Sequence, residues 1–464
     1  MSSPLALVMA AGEGTRMRSS LPKMLHPFCG RPLVAWPILA ARDAGAGRVA
    51  AIVSPEHDIS AGLPDGVETV TQPAADGTGG AIRSALPLIR EAEIVLVLSG
   101  DHPLTSSGAL EELFSTHREA GAGATVITAE PDDLASYGRI VRDPDSGDIA
   151  KIVESKNPGD ATPEQLEIRE VNTGIYAFAA EPLADALEGI RNDNAQGEYY
   201  LGDVLPLIRE AGHRVVAQPT EDEGVMMGIN TRLELAHAEA EARRRILERH
   251  MLAGVTVVDP ASTWVDVDVE IAADARLEPG TSLRGATRVG TGTVVGPLTT
   301  LIDTILGENV EVPHSYLVEC EVLDRCRVGP FAYLRPAARL AEGAKAGAFV
   351  EIKNSEIGEG AKVPHLAYVG DAEVGAGSNL GAGTITANYD GFRKNRTVIG
   401  RNARLGVDTM LIAPVEVGDA AYTGAGAVIK DDVPEGALAV SDNDQRNIEG
   451  YAKQKAAEMR EEER

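Results

Sequence analysis

Aromatic residues make up only 4% of this 464-residue chain, and its three cysteines include no Cys-x-x-Cys pair. So few cysteines exclude a disulfide-stapled scaffold, and they suit a reducing compartment, so the expected setting is the cytoplasm. Cys320 and Cys326, six apart, read as core residues rather than metal ligands. Positive charge is also scarce: 43 Lys and Arg against 70 Asp and Glu leave a formal charge of −27. That balance argues against non-specific binding to nucleic acid or an anionic membrane, and anionic ligands must be met by locally placed cations or a metal. No apolar run approaches the 18 or so residues that a membrane-spanning helix needs. The short apolar stretch Leu5 to Ala11 has no basic segment before it and does not read as a secretory signal.

Glycine, by contrast, is abundant at 49 residues, which points to a tightly turned architecture somewhere in the chain. The length predicts two or three domains. The most informative stretch comes first. Leu5 to Met9 has the length of a buried strand and breaks at Ala10-Ala11-Gly12-Glu13-Gly14, after which Arg16 and Lys23 supply two cations. A strand, a glycine loop and nearby basic side chains make a phosphate cradle, because free backbone N–H groups and fixed cations both favour an anion. The spacing fits neither a Walker loop nor the Gly-x-Gly-x-x-Gly fingerprint, since Met17 stands where the third glycine would be.

Beyond the loop, Arg48 to Val53 and Glu93 to Leu98 read as buried strands and Gly80 to Arg90 as a helix between them. Such alternation predicts a mainly parallel, Rossmann-like α/β domain with helices on both faces. Ser99-Gly100-Asp101 then lies at the carboxyl end of a strand, where ligands bind in such sheets and where a carboxylate suits Mg²⁺. From Thr231 to about Ala253 the chain lacks Gly and Pro and carries Leu233, Ala236, Ala240 and Leu247 at helical spacing, with Gly254 as a stop. After it a six-residue period takes over. Val265, Ile271, Leu277, Leu283, Val289, Val295 and Leu301 mark it; after a phase shift Val310, Tyr316, Val322, Val328, Leu334, Leu340, Ala346 and Ile352 continue it; Ile399, Leu405, Leu411 and Val417 close it. Hexads fit a parallel β-helix with three short faces per coil and inward aliphatics. Spacing alone leaves its handedness open. His365 and the polar stretch Asn388 to Lys394 interrupt the repeat, and loops thrown out from a solenoid are where sites are built.

The motif Ala10 to Met17 with Lys23 resembles the signature of the sugar-phosphate nucleotidyltransferases, and the hexads resemble the hexapeptide acyltransferases. Together, in this order, they resemble the bacterial family that joins an N-acetylglucosamine-1-phosphate uridylyltransferase to a glucosamine-1-phosphate acetyltransferase. The resemblance implies a left-handed β-helix, a homotrimer, Mg²⁺, and UTP and acetyl-CoA as co-substrates, with the product feeding cell-wall polymers. It implies a first site built from Met9, Ala10, Ala11, Gly12, Arg16 and Lys23, with Gln72, Gly77 and Thr78 reading uracil. Asp101 of Ser99-Gly100-Asp101 and Asn230 of Gly228-Ile229-Asn230 would hold the metal, and Gly138, Glu154 and Asn172, with Gln196 to Tyr200, would meet the sugar. In the second half it makes His365 the catalytic base and Glu351 its support. Arg335, Lys353, Tyr368, Asn379 and Lys394 would bind the sugar phosphate, and Ala382, Asn388, Tyr389, Val407 and Ala425 would meet acetyl-CoA. Val407 and Asp442 depart from the family's usual Ser and Arg, which predicts weakened coenzyme affinity. The expected organisation is 1–230 nucleotidyltransferase, 231–254 linker helix, 255–440 β-helix acetyltransferase and 441–464 charged tail. Two alternatives remain: a nucleotidyltransferase whose β-helix only trimerises, and a non-catalytic sensor of nucleotide sugars.

Overall fold

The computed structural model describes residues 3–134, 137–155, 161–193, 196–441, 447–454 and 457. It falls into two compact units, Met1–Ile246 and Leu247–Arg464.

The first unit is built on a nine-stranded sheet centred on Leu5–Met9, which pairs in parallel with Arg48–Val53 on one side and Ile94–Ser99 on the other. Both faces of the central strand are covered, so it reads as a continuous apolar run: Leu5 and Leu7 join one core cluster, Ala6 and Val8 the other. The sheet is less uniform than the sequence suggests, because Val171–Ala179 runs antiparallel between Ile94–Ser99 and Ala124–Ala129. The expected helix over Gly80 to Arg90 is also two pieces, Thr78–Ser84 and Leu86–Ile89. Pro87 has no N–H to continue the first helix, so it restarts the chain in a second.

A helix runs over Arg232–Leu252. Its start is fixed by a reciprocal cap: the Thr231 hydroxyl accepts from the Glu234 N–H at 3.2 Å, while the Glu234 carboxylate accepts from the Thr231 N–H at 2.7 Å.

The second unit is a left-handed parallel β-helix of three sheets with seven, ten and nine strands among the described residues. In the earlier coils each strand pairs with the third one after it: Trp264 meets Ser282, Ser282 meets Thr300 and Thr300 meets Tyr316. The inward column holds Val265, Leu277, Leu283, Val289, Val295 and Leu301, all buried. The second run needs correction. Tyr316 is 44% exposed and Leu317 beside it is buried; Val310 is buried too, but at a corner outside any strand. The phase slips because corners lose one residue, as at Asp303, His314 and Glu319, each with φ of 46 or 47°. The N–H groups of these corner residues donate to carbonyls of the preceding coil, His314 to Pro297 at 2.9 Å and Glu319 to Ile302 at 2.9 Å, which offsets the left-handed backbone.

Candidate functional sites

The glycine loop leaves the carboxyl end of Leu5–Met9 and brings Lys23 back beneath it. Gly14 has φ 64°, and a Cβ there would stand 2.5 Å from the Lys23 Cβ, so only glycine lets the lysine pack against the loop. Lys23 is 7% exposed, and its ammonium donates to the Asp101 carboxylate and, at 3.0 Å, to Asn230 Oδ1. Two residues far apart in sequence therefore share one cation. Ser99 completes the arrangement by donating its hydroxyl to Asp101 Oδ1 at 2.6 Å. Burial works against the Asp101 carboxylate, yet its pKa lies at about 2. The neighbouring His102 and Lys23, with the hydrogen bonds from Lys23 and Ser99, hold it down, while burial lowers the pKa of His102 itself.

These groups open onto a cavity of about 490 Å³. Met9, Ala11, Gly12 and Lys23 line one wall; Gln72, Gly77 and Thr78 another; Ser99, Asp101, Glu154 and Asn172 the remainder. Most of the expected residues thus converge, Asn230 through Lys23; Gln196, Gly197 and Tyr199 do not line the cavity, nor do four others. Ala10 and Gly100 serve the sheet, donating their N–H groups to Ile52 O at 2.8 Å and to Met9 O at 2.9 Å. Arg16 sits exposed on a one-turn helix and is not in the wall. Gly138 lies behind it, its carbonyl accepting from the Asn172 N–H at 2.9 Å.

Tyr176 also lines the cavity and was not foreseen. A register shift between Asn172 and Tyr176, around Gly174, turns this strand so that both side chains reach the wall. There Asn172 Nδ2 donates to the Tyr176 hydroxyl at 2.7 Å. A glycine within an apolar strand is the signal that could have found it. Glu198, Tyr200, Leu201 and Gly202 complete the wall. Their segment is pinned to the 72–78 turn: Tyr199 N–H donates to Asp76 O at 2.8 Å, and Leu201 N–H to the Thr78 hydroxyl at 3.0 Å.

The second constellation lies at one corner of the β-helix. The Gly383 N–H donates to His365 O at 3.3 Å, Asp408 N–H to Ala382 O at 2.7 Å, and Gly426 N–H to Val407 O at 2.8 Å. His365, Ala382, Val407 and Ala425 therefore stand in one column on successive coils, each just before a left-handed corner residue. His365 and Val407 are exposed. Round that corner Glu351, Lys353 and Tyr368 belong to the ten-stranded sheet, Glu351 pairing with Tyr368. Lys394 comes from the long excursion between Ile385 and Met410, which pair although 25 residues separate them. It lies against Lys353, whose pKa is lowered chiefly by that neighbouring ammonium. Two cations held together are what a phosphate would relieve. Both also stabilise the Asp371 carboxylate, to which Asn354 and Asn388 donate.

Arg335 and Glu351 meet each other. The Arg335 guanidinium donates to Glu351 Oε1 at 2.8 Å, so the two neutralise each other and the carboxylate is engaged by arginine. Asn379 falls on a bridge between Lys362 and Arg404, in line with another sheet. Tyr389 is exposed on the excursion and donates its hydroxyl to Gly391 O at 2.6 Å. Asp442 lies outside the described residues.

Known proteins match both halves. Residues 6–197 match the MobA-like NTP transferase domain. The bifunctional protein GlmU of Streptomyces avermitilis is 48% identical over 455 residues, 97% of this chain and 94% of that protein. Those of Kineococcus radiotolerans and Mycobacterium bovis are 48% and 46% identical over 451 and 459 residues, covering 96% and 97% of this chain and 91% and 92% of theirs. With identity of this level running through both units, the chain belongs to the family of bifunctional GlmU proteins.

Proposed function

We propose that this enzyme makes UDP-N-acetylglucosamine in two transfers, acetylation at the β-helix corner and uridylyl transfer in the cleft of the first unit. In the first, the amine of glucosamine 1-phosphate attacks the acetyl-CoA carbonyl, a C–N bond forms, the C–S bond breaks and the CoA thiol leaves. His365 takes the proton that the amine sheds and passes it to the departing thiolate, a contribution worth about 10²–10⁴-fold. Lys353 and Lys394 hold the sugar phosphate, and the coenzyme lies along Ala382, Val407 and Ala425, with Asn388 and Tyr389 on the excursion beside it.

In the second, a phosphate oxygen of N-acetylglucosamine 1-phosphate attacks the α-phosphorus of UTP, and pyrophosphate leaves. A phosphate monoester needs no base to attack, so the protein's part is alignment and charge neutralisation. The observation that carries this reading is the pair of oxygens, Asp101 carboxylate and Asn230 Oδ1, gathered around a single cation. Hard oxygen donors fit Mg²⁺, and among the described residues no group of three His, Cys, Asp or Glu side chains offers a metal cage. Substrate phosphates and water would supply the other ligands, and the ion neutralises charge on the transferring group when bound. Lys23 positions those phosphates, Gln72, Gly77 and Thr78 meet the base, and Asn172 and Glu154 meet the sugar.

We assign the protein to the cytoplasm as a homotrimer. No helix among the described residues is long and apolar enough to cross a membrane, and all three cysteines are buried and outside any disulfide. A run of exposed apolar residues supports self-association: Leu298, Phe331, Phe349 and Leu366 project from one corner, with His314 on the coil between the first two and Phe331 and Phe349 stacked at 5.3 Å.

The test is a paired assay. Free thiol should appear from acetyl-CoA with glucosamine 1-phosphate, and pyrophosphate from UTP with N-acetylglucosamine 1-phosphate. His365→Ala should abolish the first alone and Asp101→Asn the second alone. Pyrophosphate without thiol would leave a nucleotidyltransferase with a scaffold, and neither product would leave a binding protein.

A further inference from the structure

Gln72 is 7% exposed and lines the cleft where the base is proposed to lie. Its Nε2 donates to Asp76 Oδ1 at 2.9 Å and to Gly77 O at 3.3 Å. A carboxylate and a backbone carbonyl can only accept, so the orientation of this amide follows from its neighbours' chemistry: the NH₂ must face them. Both amide hydrogens are then used within the turn, and Oε1 is what remains for a ligand.

The turn is arranged to keep the carboxylate in that place. The Asp76 N–H donates to Ala74 O at 2.9 Å, and its own carbonyl accepts from Tyr199 at 2.8 Å, so the backbone is tied on both sides. Gly80 supplies the space: a Cβ at this position would stand 1.9 Å from Asp76 Oδ1 and 2.3 Å from Cγ. The carboxylate of residue 76 occupies the volume that a side chain at residue 80 would fill. Asp76 and Gly80 thus act as a pair on Gln72.

We infer that Asp76, acting through Gln72, sets the base preference of the cleft: it leaves a lone acceptor facing the base and so selects uracil over cytosine. This role for Asp76 rests on the reading that the segment from Gln72 to Thr78 meets the base. Uracil carries a ring N–H at N3, which Oε1 can accept. Cytosine has a lone pair there, so two acceptors would face each other without water between them. A site built around such a hydrogen bond rejects the wrong partner strongly, because its own buried group is left unpaired. Asp76 is a positioning residue here and touches no substrate.

The experiment measures kcat/KM for UTP and for CTP, with N-acetylglucosamine 1-phosphate as acceptor, in the full chain and four variants. Asp76→Ala removes the anchor and frees the amide to turn; the ratio of UTP to CTP should fall by about tenfold or more. Gly80→Ala, which pushes the carboxylate out while leaving it in the chain, should lower the ratio in the same direction. Asp76→Asn keeps an acceptor oxygen and should retain most of the preference. Gln72→Ala should raise KM for UTP and remove the preference that Asp76 controls. An unchanged ratio in both Asp76→Ala and Gly80→Ala, with Gln72→Ala still impaired, would overturn the role of Asp76 and leave the base site standing. If Gln72→Ala also changes neither KM nor the ratio, the base-site reading fails with it. A weaker KM for both nucleotides at a constant ratio would mark Asp76 as a staple of the turn only, and would likewise overturn the inference.

Discussion

Lys23 shows how one side chain can serve both packing and chemistry. Its stem fills the space that Gly14 leaves, and its ammonium ties Asp101 to Asn230. Replacing it with methionine keeps the stem and removes the charge. The expected result for Lys23→Met is a fall in kcat for uridylyl transfer of about 10²–10³, typical of losing one charge-stabilising donor, with thiol release from acetyl-CoA unchanged. A comparable loss in both activities would show that the lysine matters chiefly for folding. His117 supplies a second test at this scale. It is buried on the helix Ser107–Ala120 with Nδ1 2.9 Å from the Thr125 hydroxyl, and burial, helped by Arg118, lowers its pKa to about 4. The unfolded chain, with an ordinary histidine near 6.5, binds the extra proton first as pH falls. Stability from this residue is therefore intact above about pH 6.5 and is lost toward pH 4, by about 1.4 kcal/mol per unit. Thermal unfolding followed across that window should fall less steeply in His117→Gln than in the wild type. Much of what lines the cavity with its own side chain was legible in the sequence, as Lys23, Asp101 and Asn172 were. Residues that act through another side chain were not: Asp76 looks like any turn aspartate until Gln72 and Gly80 are placed beside it.

At the scale of elements, the β-helix was readable because each short face must bury one aliphatic side chain, and that need imposes a period that no other element shares. The trimmed corners were not readable. A left-handed corner is usually announced by glycine, but here Asp303, His314 and Glu319 adopt it, held by bonds to the coil before, and the lost residue leaves no compositional mark. The reassignment at Tyr316 has a direct consequence. Leu317→Ala should open a cavity in the core of the coil and destabilise the second unit by about 2–5 kcal/mol, whereas Tyr316→Ala should cost less than about 1 kcal/mol. Denaturant unfolding of the two variants decides it, and the reverse order would put tyrosine back in the core. The first unit was obscured in a different way. A strand buried on both faces shows no alternation, so Val171–Ala179 could be recognised as apolar but not as antiparallel, and its bulge was visible only as a glycine.

At the scale of the molecule, the charge of −27 sets a problem for an enzyme whose proposed substrates are all anions. The cations proposed to meet them are few and local: Lys23 within the cleft, and Lys353 with Lys394 at the coil corner. Within a Debye length, about 30 Å in 10 mM salt, the field of the whole chain repels an approaching nucleotide, whereas the contact with Lys23 acts over a few ångströms inside a low-dielectric wall. Added salt screens the long-range repulsion far more than the short attraction. Raising monovalent salt from about 10 to about 150 mM at fixed free Mg²⁺ should therefore increase kcat/KM for UTP, by a factor of about two to ten, with kcat nearly constant. A basic nucleotide-binding protein would show the opposite slope. If kcat/KM falls with salt, the local cations govern capture as well as binding, and the net charge has no part in the approach. The same titration on thiol release from acetyl-CoA asks whether the corner with Lys353 and Lys394, though more exposed than Lys23, is also approached against the field, and the expected slope there is positive but shallower.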